Sequence, residues 1–127
     1  MEFHPYFHED VLLDFCTKQN ITFNSYSPVG APDFTTTLGP TWNPIPDVRK
    51  HPSVIAIAQK HGKSPAQVVF RWHWQQGILI NPRTRDLTHM QENMAIFDFQ
   101  LDIEDMMTLS YLDHPMSKVC PDPRFVL

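Results

Sequence analysis

His4 and His8 stand four residues apart, a separation that lets two imidazoles grip one metal ion from the same helical face. Pro5 prevents a helix through that pair and nothing nearby supplies a third ligand, so zinc is not expected. Trp72, His73 and Trp74 fall inside a predicted helix, where adjacent residues point in different directions, and they are expected to pack rather than converge. Cys120, beside Pro121, has no visible base to make a thiolate and is expected to be inert. Two further places invite chemistry. Tyr26 reads on its own as a core tyrosine at a strand end, and Arg83, Thr84 and Arg85, with His89, Glu92 and Asn93 behind them, read as a solvated basic turn leading into a helix.

The bulk of the chain narrows the choices. Its 127 residues make one ordinary domain, and a hydrophobic content of 42% suffices for a real core. A net charge of -4 with no Lys/Arg run argues against nucleic acid or a membrane surface as direct partner. No apolar stretch approaches the roughly 20 residues that span a bilayer, and no secretory leader pattern opens the sequence. A soluble, intracellular chain is expected, with its compartment unspecified. Cys16 and Cys120 are therefore expected as reduced thiols, and the Asn20-Ile21-Thr22 sequon as a chance match.

The elements that must position these residues follow from spacing. Val11, Leu12, Phe15 and Cys16 share one face of a helix predicted over 8–20, with Glu9 and Asp10 at its positive end. Residues 21–27 alternate and are rich in β-branched and aromatic types, which predicts a strand ended by Pro28. The proline-rich stretch 28–46 predicts a long binding or lid loop, and Trp42 lies within it. A helix over 51–62 stops at Gly62. Another starts at Ser64, where Ser caps, Pro65 fits the first helical position and Gln67 completes a capping box. Ile78, Leu79 and Ile80 predict a strand buried on both faces. A helix from Asp86 to Ala95, one capped by Asp102 and an irregular tail over 115–127 complete the chain.

Strand, helical crossover, strand, helix is the order of a parallel α/β sheet. Two strands alone leave both sheet edges open, a sticky arrangement. Glu2 and Phe3 look like the end of a third strand, and His4, Pro5 and Tyr6 like the turn leaving it.

Five ordered blocks, EFHPYFHEDVLLDFC, NSYSPVGAP, KSPAQVVFRW, INPRT and ENMAIFDFQLDIEDM, resemble the C-terminal half of an aldo-keto reductase over essentially the whole chain. The resemblance implies a partial (β/α)8 TIM-type barrel, a fold that usually needs about 250 residues. It implies a single C-terminal half-barrel unit over 1–127, containing the end of strand six, strands seven and eight and their helices. Met1 would then correspond to an internal residue of a longer ancestor. The loop over 28–46 would lie on the pocket side, with Trp42 in the region that lines the family's substrate pocket.

The family reduces carbonyls with a hydride from NADPH, using a Tyr proton donor with an Asp, a Lys and a His around it, all from its N-terminal half. None has a counterpart here, and His4 matches a structural histidine. The cofactor contacts fare better. By resemblance, Tyr26 matches the aromatic that stacks on the nicotinamide, and Ser27, Val29 and Ala31 match the turn over the pyrophosphate. The family often has serine where Ala31 stands. Arg83 and Thr84 match a Lys-Ser pair that grips the 2'-phosphate, and Glu92 and Asn93 match the adenine-holding pair. His89 stands where the family has Arg, and an imidazole is ordinarily mostly neutral at pH 7. Arg85 would have to compensate, so a weakened preference for NADPH over NADH is expected.

These features imply an aldo-keto reductase-like chain that keeps part of a nucleotide site but lacks the catalytic tetrad, and is inactive alone. The reading first expected is a non-catalytic structural or docking subunit of a larger assembly. The alternatives are a truncated form of an active NADPH-dependent reductase, and a half that pairs with itself or a complementary half. A protein partner covering the open strand edges and barrel-interior face is expected, and with it an oligomer, complex or aggregate.

Overall fold

The computed structural model describes residues 1–30, 47–113 and 117. Ala31, Trp42, Cys120, most of the loop over 28–46 and nearly all of the tail over 115–127 lie outside the described residues.

The fold is a small α/β unit. Helix α1 (Asp10–Lys18) leads to strand β1 (Asn24–Tyr26), then a single 3₁₀ turn at Val48–Lys50, α2 (Pro52–His61), α3 (Pro65–Gln75), β2 (Leu79–Asn81), α4 (Leu87–Met94) and α5 (Ile103–Ser110). The two strands run parallel, with Asn24 opposite Leu79, Ser25 opposite Ile80 and Tyr26 opposite Asn81. On the other side of β1, Glu2 forms a parallel bridge with Tyr26, whose N–H donates to the Met1 carbonyl at 3.0 Å. The opening residues thus supply a third row, and β1 lies in the middle.

Local chemistry sets the helix ends. Gly62 closes α2 at φ 62°, a left-handed conformation that costs glycine nothing. Ser64 and Gln67 form a reciprocal capping box at the start of α3. Asp86 accepts from the N–H groups of Thr88 and His89 at the start of α4, and Asp102 and Asp105 form a second capping box on α5. The core gathers Phe3, Phe23, Val54, Val68, Val69, Trp72, Ile78, Leu101 and Leu109.

Trp72 and His73 pack as expected. The indole is fully buried, stacked on Phe3 at 5.5 Å, and its N–H donates to Ser110 Oγ at 3.3 Å. The ring nitrogens of His73 lie 2.7 Å from the Val69 carbonyl and 2.8 Å from the Phe3 carbonyl, so this imidazole joins α3 to the opening strand row. Trp74 turns outward and meets Phe97 edge-on. His8 ties distant parts together: its Nε2 lies 3.1 Å from the Ser110 carbonyl and its N–H donates to Asp113 at 3.1 Å.

Two expectations fail. The strand expected to be buried on both faces shows Leu79 at 44% exposure and Asn81 exposed, while the fully buried Ile78 sits just before it. Alternation explains this, since successive side chains point to opposite faces and the described helices cover the one that Ile78 faces. The stripe on α1 also fails to dock. Val11 (85% exposed), Leu12 and Phe15 face outward, and only Cys16, with Leu13, packs partly against the core. The side of the helix carrying Leu13 and Cys16 meets the core, and among the described residues nothing covers the rest. No helix among the described residues is long and apolar enough to cross a membrane.

Candidate functional site

At the C-terminal ends of β1 and β2 lies a cleft of about 960 Å³. One side is the turn after β1. Ser27 adopts φ 53° and Gly30 φ 72°, and the Gly30 N–H donates to the Ser27 carbonyl at 2.8 Å. A non-glycine residue in the left-handed region marks a turn held by its surroundings. Among the described residues a Cβ built on Gly30 would meet nothing within 4 Å. Ser27 and Val29 both line the cleft.

The opposite side is the segment leaving β2. Arg83, Thr84, Arg85, His89, Glu92 and Asn93 all line the same cleft. Thr84 Oγ1 accepts from the Asp86 N–H at 3.1 Å, and Asp86 in turn caps α4, fixing the path of this basic turn. The N–H of His89, then that of Thr88, hold the Asp86 carboxyl below the usual range. Arg83 and Arg85 are exposed, and among the described residues neither guanidinium has an ion pair. Two cations left without counter-ions beside a cleft, in a chain of net charge -4, suit an anionic group.

Of the residues singled out in the sequence, the structure therefore brings together eight. Tyr26 stands at the end of β1, 42% exposed and outside the cleft lining, and Ala31 lies outside the described residues.

Other lining residues carried no sequence signal as site residues. Arg49 reaches the cleft from the 3₁₀ turn, forked onto Asp47 by two bonds of 2.8 Å. Burial pushes the Asp47 carboxyl up, but the Arg49 bonds and the charges of Arg49 and Lys50 outweigh it and hold it low. Ser64, Pro65 and Ala66, recognisable only as a helix start, form another wall. His4 and His8 make other contacts: Nε2 of His4 lies 3.1 Å from Glu2 Oε1, and Nδ1 of His8 lies 3.0 Å from Asp10.

A cleft with a backbone turn at one side and guanidinium groups that have no ion pair among the described residues at the other can hold a nucleotide through its phosphates. The sequence model of the aldo/keto reductase family matches residues 1–113. The chain is 36% identical to aldo-keto reductase family 1 member A1-A of Danio rerio over 106 residues, covering 84% of this chain and 32% of that protein. It is 32% identical to a probable NAD(P)H-dependent D-xylose reductase of Aspergillus clavatus, over 89% of this chain and 34% of that protein. Among solved structures, a Gox0644 variant in complex with NADPH superposes with a TM-score of 0.84 at 31% identity, covering all of this chain and 42% of that one. An aldo/keto reductase from Brucella melitensis gives 0.72 at 32% identity, covering 88% of this chain and 37% of that one. The chain thus spans about a third of the length of the curated relatives it matches.

Proposed function

The chain belongs to the aldo/keto reductase family, and from that premise we propose that it forms the nucleotide-holding part of an NADP(H)-dependent carbonyl reductase. The observation that carries the reading is the meeting of the turn at 27–30 with the segment 83–93 on one cleft. The donors fit the cofactor. The turn offers backbone N–H groups to a pyrophosphate, Arg83 and Arg85 offer charge to a phosphate monoester, and Glu92 and Asn93 offer polar groups to a base. Tyr26, at the end of β1, is on this reading the aromatic that stacks on the nicotinamide. When bound, the cofactor supplies the hydride. The chain's own residues bind and orient it.

The three parallel rows correspond, on this reading, to barrel strands six, seven and eight. The proton donor comes from outside residues 1–127, so this chain alone turns nothing over. The exposed face of α1 and the open edge of β2 are covered by further protein, either more of a barrel or a partner that completes one. The non-catalytic docking role draws no support from the cleft, whose cations stand ready for a ligand.

The test is binding and turnover together. Quenching of tryptophan fluorescence by NADPH should be saturable, and Arg83→Ala should weaken binding by about tenfold or more, the worth of one charge-assisted hydrogen bond. Consumption of NADPH with an aldehyde present should equal the blank. Absent binding would sink the nucleotide site. Turnover by the pure chain would sink the missing proton donor.

A further inference from the structure

Two walls of the cleft come from different helices. Ser64, Pro65 and Ala66 open α3, and Glu92 and Asn93 sit in the last turns of α4. One side chain spans the two. Gln67 is 6% exposed, and its Oε1 accepts from the Ser64 N–H at 2.9 Å. Its Nε2 donates to the Glu92 carbonyl at 3.0 Å and to the Ala95 carbonyl at 3.1 Å. Both N–H groups and the oxygen of one buried amide are thus engaged, each with backbone that belongs to a cleft wall or lies next to one.

We infer that Gln67 is a positioning residue for the nucleotide: by bridging Ser64 to Glu92 and Ala95 it fixes the separation of two cleft walls and holds Glu92 and Asn93 where the adenosine end is gripped. This inference rests on the cleft being a nucleotide site. The chemistry is specific to an amide. A carboxylate of the same shape accepts from Ser64 but sets a second acceptor against two carbonyls; that of Glu92 keeps the Ala95 N–H at 3.0 Å, whereas that of Ala95 loses the Gln67 donor. The helix also contains a built-in control. Gln75, two turns further on, binds the backbone of Leu101 in the same way, with Nε2 donating to its carbonyl at 2.9 Å and Oε1 accepting from its N–H at 2.8 Å. Neither Gln75 nor Leu101 lines the cleft.

The experiment measures affinity of the full chain for 2',5'-ADP, the adenosine end of NADPH, by calorimetry, with thermal unfolding followed by circular dichroism. Gln67→Glu should lose affinity by about tenfold or more, while Gln75→Glu, whose carboxylate would also face Arg71 Nε, keeps the wild-type value. Should Gln67→Glu not fold, Gln67→Asn keeps the amide but falls one methylene short of the two carbonyls, and should lose affinity in the same direction. Wild-type affinity in the folded Gln67 variant would overturn the inference, as would equal losses in the Gln67 and Gln75 variants, which would make the effect one of general stability. Failure of the wild-type chain to bind 2',5'-ADP is a separate outcome that overturns the nucleotide reading beneath it.

Discussion

Helices α3 and α1 differ by two residues in length and both carry an apolar stripe, yet they meet opposite surroundings. α3 buries Gln67, Val68, Val69, Phe70, Trp72 and His73, whereas α1 buries no residue. α2, α4, α5 and β2 enclose α3 on several sides. An apolar stripe states that a face favours cover, and only the neighbouring elements decide whether cover arrives. In α3 the neighbours are present, and in α1 Leu13 and Cys16 alone find partial cover.

The contrast is sharpest at Trp72. Trp72→Ala removes an indole that stacks on Phe3 and meets His73 edge-on at 5.0 Å, and it should cost about 3–5 kcal/mol. Urea denaturation measures this, and an unchanged midpoint would erase the distinction between the helices.

A somewhat smaller effect is tied to pH. Burial pushes the His73 imidazole down to about 4, against the upward pull of the Phe3 and Val69 carbonyls and with the charges of His4 and His8 lowering it further. In the unfolded chain the ring takes its proton near pH 6.5. Its contribution is therefore fully present above about pH 6.5 and declines as the pH falls toward 4, by up to about 3 kcal/mol. Stability measured at about pH 7.5 and about pH 4.5 should show a steeper loss for wild type than for His73→Gln. Identical slopes would mean the buried ring is not the source.

The smallest expected effect lies on α1. Val11→Ser and Phe15→Ser should each change stability by less than about 0.5 kcal/mol, as at an exposed site, while reducing self-association in sedimentation. A loss of core size in either variant would show that this face is covered after all.

The sequence was most legible where chemistry is local. Ser64 with Gln67, Gly62, Asp86 and Asp102 each mark a helix end through bonds to backbone within a few residues, and each stands where expected. Strand extent was less legible: residues 21–27 shrink to Asn24–Tyr26, because a strand reaches only as far as its partner pairs with it. The exposure of Leu79 and Val11 was invisible for the same reason, as both depend on what lies opposite. In the site, residues 83 to 93 fall together because one short segment carries them, but the roles expected of them rest on the family resemblance rather than on residue type. Arg49 and Ser64 reach the cleft from elsewhere in the chain, and nothing in their neighbourhood announces it.

The contacts of His8 carry a consequence for assembly. They join positions 102 and 105 residues apart, whereas the Gln67 bridge joins groups 25 and 28 apart. Closing a longer span of chain costs more entropy before any contact rewards it. The Gln67 bridge is therefore the cheaper part to organise, and the clasp between the opening turn and the far end of α5 is the part that a loosened molecule surrenders at the greatest entropic gain.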